Sequence, residues 1–184
     1  MTEPTHNAML YIITGSRGAD KTTFCQTLVR AARAAGWQVA GLISNPVYES
    51  TRRTQIMAED LRSGETRLLA TRKDPDQPVQ GIATRNWLFD PQTIRWGNTV
   101  LNNSLPADLF VMDELGTLEF ERQQGWQAGL TAIDSRRYSI ALLVMRPELL
   151  GDALQRWPDS YIVEIEPPED LEQKAKILAI QLFK

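Results

Sequence analysis

The sequence predicts a three-layer α/β/α domain on a mostly parallel central sheet, and three observations carry that prediction. Short apolar runs alternate with amphipathic segments of helical period, the pattern of strands joined by crossover helices. The runs Met9-Leu10-Tyr11-Ile12-Ile13 and Leu109-Phe110-Val111-Met112 are apolar without alternation, as strands covered on both faces are. The first run passes straight into the glycine-bearing stretch Gly15 to Thr23, and that stretch into a helical pattern.

Taken in order, the strand at Met9–Ile13 is followed by a helix from Thr22 to Ala35, with Phe24, Leu28, Val29 and Ala32 on one face and Gly36 as its stop. Gln38 to Ser44 reads as the second strand. Thr54–Glu59 and Thr66–Ala70 flank Ser63-Gly64 and form a hairpin that extends one edge of the sheet antiparallel. Residues 72–86, with Pro75, Pro78 and Gly81, read as an exposed, mobile loop. Asp90 supplies an N-cap and Pro91 the first position of a helix reaching Asn103. The strand from Leu109 ends in Asp113-Glu114. A helix from Gln123 to Ser135, a strand Ser139–Met145, a helix opened by Pro147, a strand Tyr161–Ile165 and a helix Glu169–Phe183 complete the pattern. The expected arrangement sets the strand from Met9 beside those at Leu109 and Gln38. Residues 1–184 read as a single domain with a flexible tail at 1–7.

Composition narrows the function. Hydrophobic residues make up 42% and charged residues 23% of 184, enough to bury a core without cross-links. With 20 basic against 23 acidic side chains and no Lys/Arg block, nucleic acid is not the expected partner. Cys25 and His6, each the single residue of its type, build no disulfide and no zinc site. The start lacks a basic n-region, and no apolar run approaches the ~20 residues that span a bilayer, so the expectation is a cytoplasmic protein without membrane contact.

The chemistry lies in two motifs. In G-x-x-x-x-G-K-[ST], successive backbone N–H groups wrap phosphate oxygens, the lysine reaches the terminal phosphates and the hydroxyl meets Mg²⁺. Gly15, Ser16, Arg17, Gly18, Ala19, Asp20, Lys21, Thr22 and Thr23 occupy this loop, with Asp20 where the pattern has glycine. That position favours a backbone angle L-residues resist, and a carboxylate there faces phosphate charge. Rotation to solvent or pairing with Arg17 would relieve it. At the tip of the strand from Leu109, Asp113 suits the metal shell together with Thr22, and Glu114 suits polarisation of an attacking water. These features describe a RecA-like P-loop fold. Arg146, just after a strand end, is placed to sense the terminal phosphate, an exposed strand-end arginine being the alternative. Arg85 and Arg95 are further candidates. Arg52-Arg53 and Arg136-Arg137 read as surface charge, and the tryptophans as core.

The segments TGSRGADKTTF, AGLISNPVYE, DLRSGETRLLA and FVMDELGTLEFE, in this order, resemble the THEP1-type nucleoside-triphosphatase family over residues 9–150. The resemblance implies Mg²⁺-dependent hydrolysis of ATP, GTP and other nucleoside triphosphates on a RecA-like fold. It puts the phosphate-loop roles on Gly15, Gly18, Lys21, Thr22 and Thr23 and the strand-tip roles on Asp113 and Glu114. Asp20 departs from the family pattern and bears on the rate of hydrolysis rather than on the fold. Two other readings use the same loop: a kinase whose lid carries Arg72 and Arg85, and a nucleotide sensor without turnover.

Overall fold

The structure, a computed structural model, describes residues 8–74, 81–166 and 170–183. The expected tail at 1–7 lies outside these residues, as do Pro75 and Pro78 of the expected loop and Glu169 of the final helix.

Five parallel strands form the centre: β1 (Met9–Gly15), β2 (Val39–Glu49), β7 (Ala107–Asp113), β8 (Tyr138–Val144) and β9 (Tyr161–Ile165). Four more continue the sheet beyond β2 in antiparallel pairs: β3 (Arg52–Asp60), β4 (Thr66–Arg72), β5 (Ile82–Ala83) and β6 (Trp87–Phe89). The order is β5-β6-β4-β3-β2-β7-β8-β1-β9. Helices α1 (Lys21–Ala34) and α6 (Leu171–Leu182) cover one face; α2 (Pro91–Asn102) and α4 (Gln127–Asp134) cover the other. The short helix α3 (Thr117–Phe120) follows β7, and α5 (Leu150–Arg156) follows a 3-10 turn at Pro147–Leu149.

Why the central runs are wholly apolar is plain from the two cores. Leu10, Ile12, Phe110, Met112, Ala141 and Leu143 pack under α2 and α4, whereas Ile13, Leu109, Val111, Ile140, Leu142 and Val144 pack under α1 and α6. Successive residues thus point to opposite faces and both faces are dry. The α/β class and the antiparallel extension stand as expected. No helix among the described residues is long and apolar enough to cross a membrane.

Three expectations are corrected. The strand from Met9 does not adjoin those at Leu109 or Gln38: β1 lies between β8 and β9, and β8 separates it from β7. Equally apolar, doubly covered strands carry no local mark of their neighbours, and right-handed crossovers allow either order. The helix expected from Gln123 begins at Gln127, because Gln123 (φ 52) and Gly125 (φ 69) are left-handed and interrupt it. Within 72–86, residues 82–83 join the sheet as β5, and Lys73 N–H donates to the Asn86 carbonyl at 2.8 Å.

The site is placed by topology. From β1 the chain crosses towards β2, and from β8 it crosses the opposite way to β9, so the carboxyl ends of β1 and β8 flank a switch point where open α/β sheets bind ligands.

Candidate active site

Gly15 ends β1 and opens the loop. Its φ of 142° is one side chains rarely adopt, and a Cβ there would stand 2.2 Å from the Ile165 carbonyl oxygen of β9, so only glycine fits. Ser16, Arg17 and Gly18 are exposed, Ala19 is buried, and Ala19 N–H closes a turn on the Ser16 carbonyl at 3.3 Å. Gly18 turns at φ 80 in open space.

Asp20 is the N-cap of α1 and is left-handed, with φ 53 and ψ 36. The glycine-type geometry that the pattern calls for is therefore present with an aspartate in it. The side chain caps no helical N–H, is exposed, and has no hydrogen-bond or ion-pair partner among the described residues. Rotation to solvent, not pairing with Arg17, is the arrangement realised.

Lys21 folds its ammonium back over the loop, donating to the Gly15 and Ser16 carbonyls at 2.8 Å each. Burial draws this amine below its ordinary pKa, Arg146 adds to the effect, and the charges of Glu114, Asp113 and Glu148 oppose it. Glu114, Asp113 and Arg146 are thus all within electrostatic reach of the same ammonium. The next residue makes the central contact: Thr22 Oγ1 donates to Asp113 Oδ2 at 2.9 Å across 91 residues of sequence. Thr23 is exposed in the first turn of α1.

Asp113 is fully buried at the tip of β7. Its Oδ2 also accepts the Ser44 N–H from β2 at 3.0 Å, while Oδ1 is buried without a partner. Burial, and then the charge of Glu114, push its pKa up to about 7, against the Ser44 N–H, the Thr22 hydroxyl and the Arg53 guanidinium. Between the ordinary value of 3.8 and about 7, the folded protein holds a proton that the unfolded chain has released. Stability of the metal-free protein is therefore expected to fall as pH rises through that window. Thermal melts in chelator, compared with Asp113→Asn, check this; parallel pH profiles would remove Asp113 as the cause.

Glu114 follows in a left-handed conformation at φ 65, strain of the kind that collects at functional positions. Its loop is held from below by Glu119, a residue to which sequence reasoning gave no role. This carboxylate is 6% exposed and accepts Gly116 N–H on Oε2 and Trp126 N–H on Oε1, both at 2.8 Å. Its burial raises the pKa, with those two N–H groups opposing and the charge of Glu114 adding. A Cβ on Gly125 would stand 2.0 Å from Oε1, so glycine is required at that position. The sequence signal was present as an acid three residues into a helix whose N-cap is Gly116.

Arg146 is exposed just past β8, and its charge reaches the Lys21 ammonium. Arg72, Arg85 and Arg95 are exposed, and no hydrogen bond from their side chains reaches these residues among the described ones. Arg53 is the second omission: read as surface charge, it is half-buried, and its charge reaches Asp113.

The donor set suits a hard divalent cation. It offers oxygens only, a threonine hydroxyl beside a carboxylate with one unpartnered buried oxygen. No group of three or more His, Cys, Asp or Glu that could hold a metal ion occurs among the described residues, so such an ion would complete its shell from water and phosphate, as Mg²⁺ does.

Comparison with known proteins agrees with this geometry. The NTPase family profile matches residues 10–177. The nucleoside-triphosphatase THEP1 of Saccharolobus solfataricus is 25% identical over 166 residues, 90% of either chain. Those of Caldivirga maquilingensis and Methanosarcina acetivorans are 28% and 29% identical over 132 residues, covering 72% and 71% of this chain and 73% of each relative. The solution structure of a human cancer-related nucleoside triphosphatase shares the fold, with a TM-score of 0.71 at 19% identity over 95% of this chain and 97% of that one. A loop tied to a strand-tip acid by Thr22 and a family match spanning nearly all of the sequence lead to one conclusion: the chain belongs to the NTPase family, that of the THEP1-type nucleoside-triphosphatases.

Proposed function

We propose that this chain binds a nucleoside triphosphate, ATP or GTP, together with Mg²⁺ and transfers the terminal phosphoryl group slowly to water, with Asp20 holding down both affinity and rate. The observation that carries the reading is the 2.9 Å bond from Thr22 to Asp113, which joins the phosphate loop to the tip of β7. Backbone N–H groups from Gly15 to Thr22 line the phosphates, and Lys21 exchanges its two loop carbonyls for phosphate oxygens. Thr22 and Asp113 would hold the Mg²⁺ and its water, and the ion would neutralise charge on the phosphates. Glu114, whose charge reaches Lys21 and whose loop Glu119 ties down at Gly116, orients the attacking water and accepts its proton. Arg146 at the rim offers charge to the terminal phosphate.

Transfer to an acceptor would need the same loop, and a sensor would need no Glu114. Phosphate release from Mg-ATP and Mg-GTP, measured with and without candidate acceptors, separates the three. Free phosphate independent of acceptor supports hydrolysis; a phosphorylated acceptor would make the chain a kinase, and binding without turnover in the Asp20→Gly variant would make it a sensor.

A further inference from the structure

The β2–β3 hairpin overhangs the site. β2 pairs with β7 only as far as Leu42 opposite Met112, yet it runs on to Glu49, past the carboxyl end of the sheet where Asp113 lies. A register shift between Val47 and Tyr48 re-aims this overhang, and Arg53 stands opposite Tyr48 on its returning strand. The Arg53 guanidinium lies over the Trp87 ring, 5.3 Å from its centroid, which holds a long side chain in one place. Its Nε is buried with no hydrogen-bond partner among the described residues. A guanidinium carries five donors and keeps its charge at all working pH values, so a buried donor without an acceptor is costly unless a ligand supplies one.

We infer that Arg53 reads the terminal phosphate of bound nucleotide, making the overhanging hairpin the element that tells a triphosphate from a diphosphate. The hairpin continues β2, the neighbour of β7 and its Asp113, while β8 separates both from β1 and the phosphate loop, so the hairpin stands on the side where the terminal phosphate and not the inner ones would lie. A planar fork takes two oxygens of one phosphate, which a lysine cannot do. Engagement draws the guanidinium from the indole face, so Trp87 becomes an internal reporter.

The inference rests on the proposed nucleotide site and is tested in the Asp20→Gly variant. Arg53→Ala is expected to weaken Mg-ATP binding by about tenfold, leave Mg-ADP within about twofold, and lower turnover by about a hundredfold. Arg53→Lys should lie between, and it replaces Arg53→Ala if that variant loses its cooperative melt. Mg-ATP, but not Mg-ADP, should change indole emission, and the change should vanish in Trp87→Phe and in Arg53→Ala. Equal losses for ATP and ADP, or none for either, would overturn the role of Arg53 and leave the site reading standing. An Asp20→Gly protein that bound no nucleotide would remove both.

Discussion

Replacing Asp20 by glycine is expected to tighten Mg-ATP binding by about tenfold or more and to raise hydrolysis with it. Two effects of the aspartate separate in the structure. The left-handed backbone at φ 53 exists already, so its cost of ~1–2 kcal/mol falls on the fold and not on binding. The charge is what binding meets. A carboxylate ~5 Å from a phosphate charge is repelled by about 3 kcal/mol at an effective dielectric of ~20, and an exposed side chain feels less through solvent screening. Since each ~1.4 kcal/mol is a factor of ten, the residual penalty is one to two orders of magnitude at about its largest. Asp20→Asn should then recover most of the affinity, because it removes the charge, and little of the stability, because it keeps the backbone strain. Isothermal titration of the three proteins at matched salt decides the matter; equal affinities would show that the carboxylate stays clear of the phosphates when nucleotide binds.

Glu114→Gln should cut turnover by about a hundredfold or more while leaving Mg-ATP affinity within about twofold. The substitution keeps volume and hydrogen-bonding reach and removes the base. The supporting shell persists, because Glu119 continues to hold Gly116 and Trp126. Asp113→Ala has the opposite signature: it releases Thr22 and Ser44 N–H together, so metal-dependent binding weakens first. Single-turnover phosphate release in the Asp20→Gly background distinguishes the two, and unchanged turnover in Glu114→Gln would strip Glu114 of its role.

Much of this site was legible before any coordinates. A buried strand, glycines at fixed offsets, a lysine–threonine pair and an acid at the end of a second apolar strand are local patterns, each with one physical reason for its spacing. Lys21, Thr22, Asp113 and Glu114 accordingly come together. What escaped the sequence is what depends on neighbours. That β8 separates β1 from β7 is invisible in runs such as Ile140–Val144 and Leu109–Met112, which are equally apolar on both faces. The full length of β2 is hidden in the sequence because Asn45, Pro46 and Glu49 lack strand character, and only pairing with β3 makes them a strand. Arg53 looked like solvent charge because its partner in space, Trp87, lies on a strand that is three residues long. Glu119 looked like one acid among several, since its two backbone partners sit on either side of a broken helix.

The contact between Gly15 and Ile165 has a consequence for how the protein is made. The phosphate loop follows the first described strand of the sheet, yet the neighbour that gives Gly15 its close-packed setting is the last. Until β9 has been synthesised and has docked along β1, the nascent chain has a loop sequence without a loop wall. Nucleotide is therefore expected to support the fold only after β9 has docked, when the strand pairing of greatest sequence separation closes.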